Sequence, residues 1–255
     1  MKIETIRIRG IEIGAGIPKI CVPIVARTQE DIIENARMIA ANQPELIELR
    51  IDWYEEAEDI QKVLQLLQKV RNTIGERILL FTFRSKQEGG KADISLEHYK
   101  CLCESVCISG YVDLIDVEAY MKEDLLQEIC EIAHRNHVYV VASNHDFEKT
   151  PSEEKMVERL EYMDKMGADI PKIAVMPKGA RDVLNLLSAT VAYRERGGRK
   201  PVITMSMDGI GGITRLSGEI FGSAVTFAAV GECSAPGQYM LSDVKQFLEM
   251  IHQNM

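Results

Sequence analysis

The sequence predicts a (β/α)8 TIM barrel of the α/β class, closed at its bottom by an N-terminal β-hairpin. Three observations predict it. Eight short apolar runs recur along the chain, each followed by a segment of helix length. The chain has 255 residues, the length that eight such units need. The first run is not followed by a Gly-rich nucleotide fingerprint, which counts against an open doubly wound sheet. No Pro/Gly/Ser linker and no low-complexity stretch divides the chain, so one domain over residues 1–255 is expected.

The opening "KIETIRIRGIEIG" alternates at period two around a glycine and reads as the hairpin. The strand runs are "KICVPIV" (19–25), "ELIELRID" (45–52), "ILLFTFR" (78–84), "VDLIDVE" (112–118), "VYVVASNH" (138–145), "IPKIAVM" (170–176), "PVITMSM" (201–207) and "AVTFAAV" (224–230). Between them the helical period is clear. Over 59–70, Ile60, Val63, Leu64, Leu67 and Val70 share one face. Over 151–166, Met156, Val157, Leu160 and Met163 do the same. That helix is expected to open with Thr150 and Glu153 as a capping box and Pro151 at its first position, and to stop at Gly167.

Composition narrows the function. The chain is 46% apolar and 27% charged, with a net charge of −9 and scattered Lys and Arg, which excludes a nucleic-acid surface. A small anionic ligand stays open, because a few clustered arginines set the local field whatever the total. The N-terminus lacks an apolar signal core, and no apolar run is long enough to span a bilayer. The cysteines at 21, 101, 103, 107, 130 and 233 show no zinc-ligand spacing. No metal is expected. Free buried thiols and a reducing cytoplasm are.

The chemistry is expected where barrels carry it, at the C-terminal ends of the strands. Alternate strand residues face the interior. Strand two then sends in Glu48, Arg50 and Asp52. Strand three brings Thr82 and Arg84, with Glu88 just beyond, and strand four Asp116 and Glu118. Strand five gives Ser143 and His145, strand six Lys172, and strand seven Met205 and Met207, or Ser206 on the other parity. Each charge alone reads as a rim ion pair or a capped turn. Lys172 alone could snorkel to the rim or pair with a carboxylate across the barrel. Together they occupy places where packing alone would use Val, Ile or Leu.

In "GADIPKIAVMPKG" (167–179), Lys172 is the one charge inside an apolar strand. Burial there, near Arg50, Arg84 or Arg215, favours the neutral amine, which attacks carbonyls to give a Schiff base. His145 suits the accompanying proton transfers, with Glu88 or Glu48 to orient it. Arginine forks suit a substrate carboxylate. After strand seven, Gly209, Gly211 and Gly212 lead to Arg215 and suggest an anion site. After strand eight, "ECSAPGQ" (232–238) suits a lid with Ser234 and Gln238 as polar contacts. These features point to a Schiff-base enzyme acting on an acidic carbonyl compound, and leave aldol cleavage and elimination both open.

The segments "ELRID", "TFRSKQEGG", "SNHDF", "IPKIAVMP", "TMSM…TRLSGEIFGS" and "SAPGQ" occur in that order. Together they closely resemble the type I 3-dehydroquinate dehydratases, the Schiff-base enzymes of the shikimate pathway, from about Lys19 to Gln238. The resemblance implies dehydration of 3-dehydroquinate to 3-dehydroshikimate, with Lys172 forming the imine. It implies His145 as base and then acid, partnered by Glu88. It implies Arg215, Ser234 and Gln238 on the substrate carboxylate, and Met205 against the ring. Glu48, Arg50 and Arg84 would contact ring hydroxyls or hold the site's charges in place. It further implies a cytoplasmic homodimer with no metal and no cofactor. Thr214 stands where many members carry serine, and "DGIGG" falls in a variable loop. The rival within the same chemistry is a class I aldolase-like Schiff-base lyase acting on a carboxylated carbonyl substrate. The rival outside it is a carboxylate-binding barrel without turnover.

Overall fold

A two-residue turn starts the fold. In the computed structural model, which describes residues 4–231 and 237–255, β1 (Ile6–Ile8) and β2 (Ile11–Ile13) pair antiparallel around Arg9 and Gly10. Both turn residues have positive φ, 46° and 80°, the conformation that matches strand twist in a tight hairpin.

Parallel strands follow: β3 (Lys19–Ile24), β4 (Leu46–Arg50), β5 (Ile78–Thr82), β6 (Leu114–Glu118), β7 (Tyr139–Asp146), β8 (Ile170–Val175), β9 (Ile203–Ser206), β10 (Val225–Ala229) and the short β11 (Tyr239–Met240). Their order in the sheet is β11-β10-β3-β4-β5-β6-β7-β8-β9. The sheet curls until its ends meet: Val202 bridges Ser223, and Ala224 N donates to Val202 O at 2.8 Å. The eight strands β3 to β10 thus form the expected barrel. The helices α1 (Gln29–Ala41), α2 (Ile60–Ile74), α3 (Leu96–Ile108), α4 (Leu125–Arg135), α5 (Glu153–Lys165) and α6 (Ala180–Glu195) follow β3 to β8 in turn. The one-turn helices α7 (Ile213–Leu216) and α8 (Gly218–Phe221) follow β9, and α9 (Leu241–His252) follows β10. Among the described residues, no helix is long and apolar enough to cross a membrane.

Strand parity divides the apolar residues into two cores. Ile47, Leu49, Leu79, Phe81, Ile115, Val117, Val140, Ile173 and Val175 face the helices. Leu46, Ile78, Leu80, Leu114, Val141, Ile170, Ile203 and Val225 fill the barrel with Ile8 and Ile13 of the hairpin. Inside the barrel, four strands pass from apolar to polar toward their C-terminal ends. Leu46 gives way to Glu48 and Arg50, Leu114 to Asp116 and Glu118, Val141 to Ser143 and His145, Ile170 to Lys172. The hairpin plugs the apolar end, and the polar end stays open.

Four local expectations are corrected. β4 stops at Arg50, so Asp52 lies in a 3₁₀ turn (Ile51–Trp53) instead of continuing the strand. β5 stops at Thr82, and Arg84 stands on the loop after it. The N-cap of α5 is Ser152, whose hydroxyl accepts from Lys155 N. Thr150 instead donates to Met176 O at 3.0 Å, because the strand end beside it has an unused carbonyl. Cys101 is exposed, unlike Cys21, Cys103, Cys107 and Cys130.

The plug has a measurable energetic role. Ile13 is fully buried and Ile11 only half-buried. Ile13→Ala should lower stability by about 2–5 kcal/mol through lost burial and a residual cavity. Ile11→Ala should cost less. Urea denaturation midpoints of the two variants and the parent check this ranking.

Candidate active site

At the polar end of the barrel lies a cavity of about 540 Å³. Glu48, Arg50, Arg84, Glu88, His145, Lys172, Met205, Arg215 and Gln238 line it, which are all the expected site residues but one. Ser234, the remaining one, lies outside the described residues.

Lys172 is inserted from β8, in register with Ser143 on β7 and Ile203 on β9. Its side chain is 4% exposed. Nζ stands 3.4 Å from Asp116 Oδ2 and 4.7 Å from the centre of the Phe227 ring. Asp116, on β6 one strand beyond β7, is its near charge.

Asp116 anchors the floor. Its Oδ1 accepts from Arg84 Nη2 at 2.7 Å and from Ser143 Oγ at 2.6 Å. Burial pushes the Asp116 carboxyl up, but Arg84, Lys172 and the Ser143 hydroxyl outweigh it and hold it below its ordinary range. Arg84 Nη1 lies 2.8 Å from Ser143 Oγ, 3.1 Å from Glu118 Oε1 and 3.4 Å from Glu88 Oε2. Burial alone would lower the Arg84 pKa, but Asp116, Glu118 and Glu88 reverse this and raise it. Charges this deep persist only when they are paired and hydrogen-bonded.

Glu88 ends a 3₁₀ turn (Lys86–Glu88) capped by Ser85. Two glycines let the loop fold back behind it. Gly89 has φ of 83° and packs against the Phe147 ring, and a Cβ on Gly90 would overlap the Arg84 carbonyl. Glu88 Oε2 then lies 2.9 Å from His145 Nδ1 and accepts from His145 N at 3.1 Å. Asn144 Nδ2 donates to Oε1 at 3.0 Å. Burial lifts the Glu88 carboxyl to about 7 against the pull of Arg84. Burial, followed by Arg84, Lys172 and Arg50, drives the His145 imidazole well below its ordinary range. An ionised Glu88 selects the tautomer with the proton on Nδ1, which leaves Nε2 as a base.

The remaining groups are held from the loops. Arg50 forks onto Asp52, Nε to Oδ1 and Nη2 to Oδ2, both at 2.8 Å. Asp52 also accepts from Lys91 N at 3.1 Å, tying the β4 and β5 loops together. Glu48 Oε1 accepts from Thr82 Oγ1 at 2.8 Å. Thr214 Oγ1 accepts from Ser206 N at 3.0 Å and donates to Gly211 O at 2.8 Å. That fixes α7 on the end of β9, and Arg215 points inward with Nη1 3.6 Å from Met205 Sδ. Among the described residues, no group of three His, Cys, Asp or Glu side chains could hold a metal ion.

The sequence reading assigned no role to Asp116, Ser143, Asn144, Trp53, Lys91, Phe147 or Phe227. Phe227 was within reach, because it shares the inward parity of Val225 on β10. Trp53, Lys91 and Phe147 stand on loops, where no period signals direction.

The arrangement can do Schiff-base and proton-transfer chemistry: a buried amine and an imidazole–carboxylate pair face one cavity beside arginines. Residues 20–255 match the family model for type I 3-dehydroquinase. The 3-dehydroquinate dehydratase of Syntrophotalea carbinolica is 45% identical over 248 residues, covering 97% of this chain and 98% of that protein. The crystal structure of a type I 3-dehydroquinate dehydratase from Clostridium difficile, with covalently modified comenic acid, is 45% identical with a TM-score of 0.97, covering 100% of both chains. The 3-dehydroquinate dehydratase from Geobacillus kaustophilus is 38% identical with a TM-score of 0.95, covering 98% of this chain and 97% of that one. With the whole barrel and its cavity inside the match, the chain belongs to the type I 3-dehydroquinase family.

Proposed function

We propose that this chain dehydrates 3-dehydroquinate to 3-dehydroshikimate, a step of the shikimate pathway, through a Schiff base on Lys172. One observation carries the reading: a 4%-exposed lysine shares a cavity with a histidine held 2.9 Å from a carboxylate. The covalent ligand in the Clostridium difficile relative supports chemistry of the same kind.

The unprotonated Lys172 amine attacks the substrate ketone. The ketone oxygen leaves as water with one proton from the amine and one from solvent, so the imine forms protonated and the later hydrolysis returns that proton. The protonated imine draws electrons from the neighbouring carbon. His145 Nε2 takes the proton from that carbon, and an enamine results. The enamine pushes out the hydroxyl one carbon further on, which departs as water with the proton returned by His145. Water then hydrolyses the imine, freeing the enone product and the lysine. The balance is one water lost from the substrate. Glu88 orients His145. Arg215, with Gln238 and Ser234, holds the substrate carboxylate. Glu48 and Arg50 meet ring hydroxyls, Met205 packs on the ring, and Arg84 keeps the floor charges paired. The scheme uses no metal and no cofactor. The family and the free cysteines support a cytoplasmic homodimer.

Borohydride trapping with 3-dehydroquinate, followed by peptide mapping, tests the nucleophile. A reduced adduct on Lys172 is expected, and product mass separates dehydration from aldol cleavage. Lys172→Ala should abolish turnover while retaining ligand binding. An active Lys172→Ala enzyme would overturn the scheme. His145→Ala should still form trapped imine but eliminate about 10²–10⁴-fold more slowly, the usual loss of a general acid–base group.

The pH profile should carry the mark of Glu88. Its carboxyl titrates at about 7, while His145 stays neutral across that window. As pH rises, Glu88 ionises, accepts from Nδ1–H and leaves Nε2 basic. kcat/KM should therefore rise up to about pH 7 and then level. Glu88→Gln should flatten this limb and lower the plateau roughly tenfold or more. Initial rates across pH for the parent and the variant check both points.

A further inference from the structure

Three cations deep in the cavity are spent on the protein's own carboxylates: Arg50 on Asp52, Arg84 on Asp116 and Glu118, Lys172 on Asp116. Lys91 is different. It lines the same cavity yet is exposed, so it stands at the mouth. Its backbone N is tied to Asp52 Oδ2 at 3.1 Å, which fixes where the side chain starts. Its ammonium rests 4.7 Å from the centre of the Trp53 ring, a face that holds a cation without neutralising it. Among the described residues it has no carboxylate partner, whereas Lys86 on the same loop is paired with Asp93 at 2.7 Å. The surrounding chain carries a net charge of −9, which repels an anion approaching from solvent.

We propose that Lys91, held over Trp53, is the substrate-capture residue of this cavity: it draws the carboxylate-bearing substrate to the mouth and hands it inward to Arg215. This rests on the reading that the substrate is the carboxylate 3-dehydroquinate. Lys91 touches no reacting atom in this role. It acts on binding, so its removal shows in KM and in salt dependence rather than in kcat.

The test is steady-state kinetics with 3-dehydroquinate for Lys91→Ala, Lys91→Glu, Lys91→Arg and Trp53→Leu, each from low to high ionic strength. At low salt, kcat/KM should fall about three- to tenfold in Lys91→Ala and further in Lys91→Glu, with kcat within about twofold of the parent. Lys91→Arg should restore the parent value, and Trp53→Leu should give a smaller loss. High salt should shrink the differences by screening. A parent that turns over, with Lys91→Ala and Lys91→Glu matching it at low salt, overturns the inference alone. So does a loss that falls on kcat or ignores salt. A folded parent that does not turn over 3-dehydroquinate overturns the substrate assignment and this inference with it.

Discussion

The site depends on one buried contact set: Asp116 shared among Arg84 at 2.7 Å, Ser143 at 2.6 Å and Lys172 at 3.4 Å. A lone ammonium in the middle of a packed barrel would face a desolvation cost too large to sustain. A lone carboxylate would face the same. Placed together, with Arg84 bridging to Glu118 and Glu88, each charge has partners and the cluster survives. Removing one member typically costs about 3–5 kcal/mol, because the others are left uncompensated in low dielectric. Lys172 is therefore held in place by the same groups that make its burial tolerable.

That cluster needs a rigid frame, and the barrel supplies it by sorting side chains along its axis. Four strands carry apolar inward residues in their first half and polar ones in their second. The hairpin residues Ile8 and Ile13 complete the apolar half. The loops then act as braces. Asp52 ties the β4 turn to the β5 loop through Arg50, Arg84 N and Lys91 N. Glycines at 89 and 90 let that loop close tightly enough for Glu88 to reach His145. The strands set the directions of the catalytic groups, and the loops set the last ångström.

The barrel was legible in the sequence because period-two alternation and helical spacing are strong over eight repeats, and inward parity is fixed by the pleat. The same parity puts Glu48, Asp116, His145 and Lys172 on the inward side, where the structure has them. Partner choice was not legible. Parity says that Lys172 and Asp116 both face inward, but not that they meet across the intervening β7 at 3.4 Å. Element ends were weaker still. Asp52 continues the alternation of β4 in sequence, yet the chain turns at Ile51 because the Asp52 carboxylate has Arg50 and two loop amides to satisfy. Trp53 and Lys91 stand on turns where spacing carries no directional information, and their stacking appears only in three dimensions.

Burial also sets the chemistry of the His145–Glu88 pair, and here the arginine has a second consequence. Desolvation favours the neutral form of both groups, so it lifts the carboxyl and depresses the imidazole together. Unopposed, that would lift Glu88 higher still and weaken it as an acceptor from Nδ1–H. Arg84, 3.4 Å from Glu88 Oε2, pulls the carboxyl back to about 7. The same cation lowers the imidazole further and keeps it neutral, as a base must be. Arg84 thus acts in both directions with one charge: it stabilises the ionised carboxylate and the uncharged imidazole. A methionine at this position could fill the volume but would do neither. The ionic floor is therefore tied to function through the protonation states it sets, beyond any contribution it makes to stability.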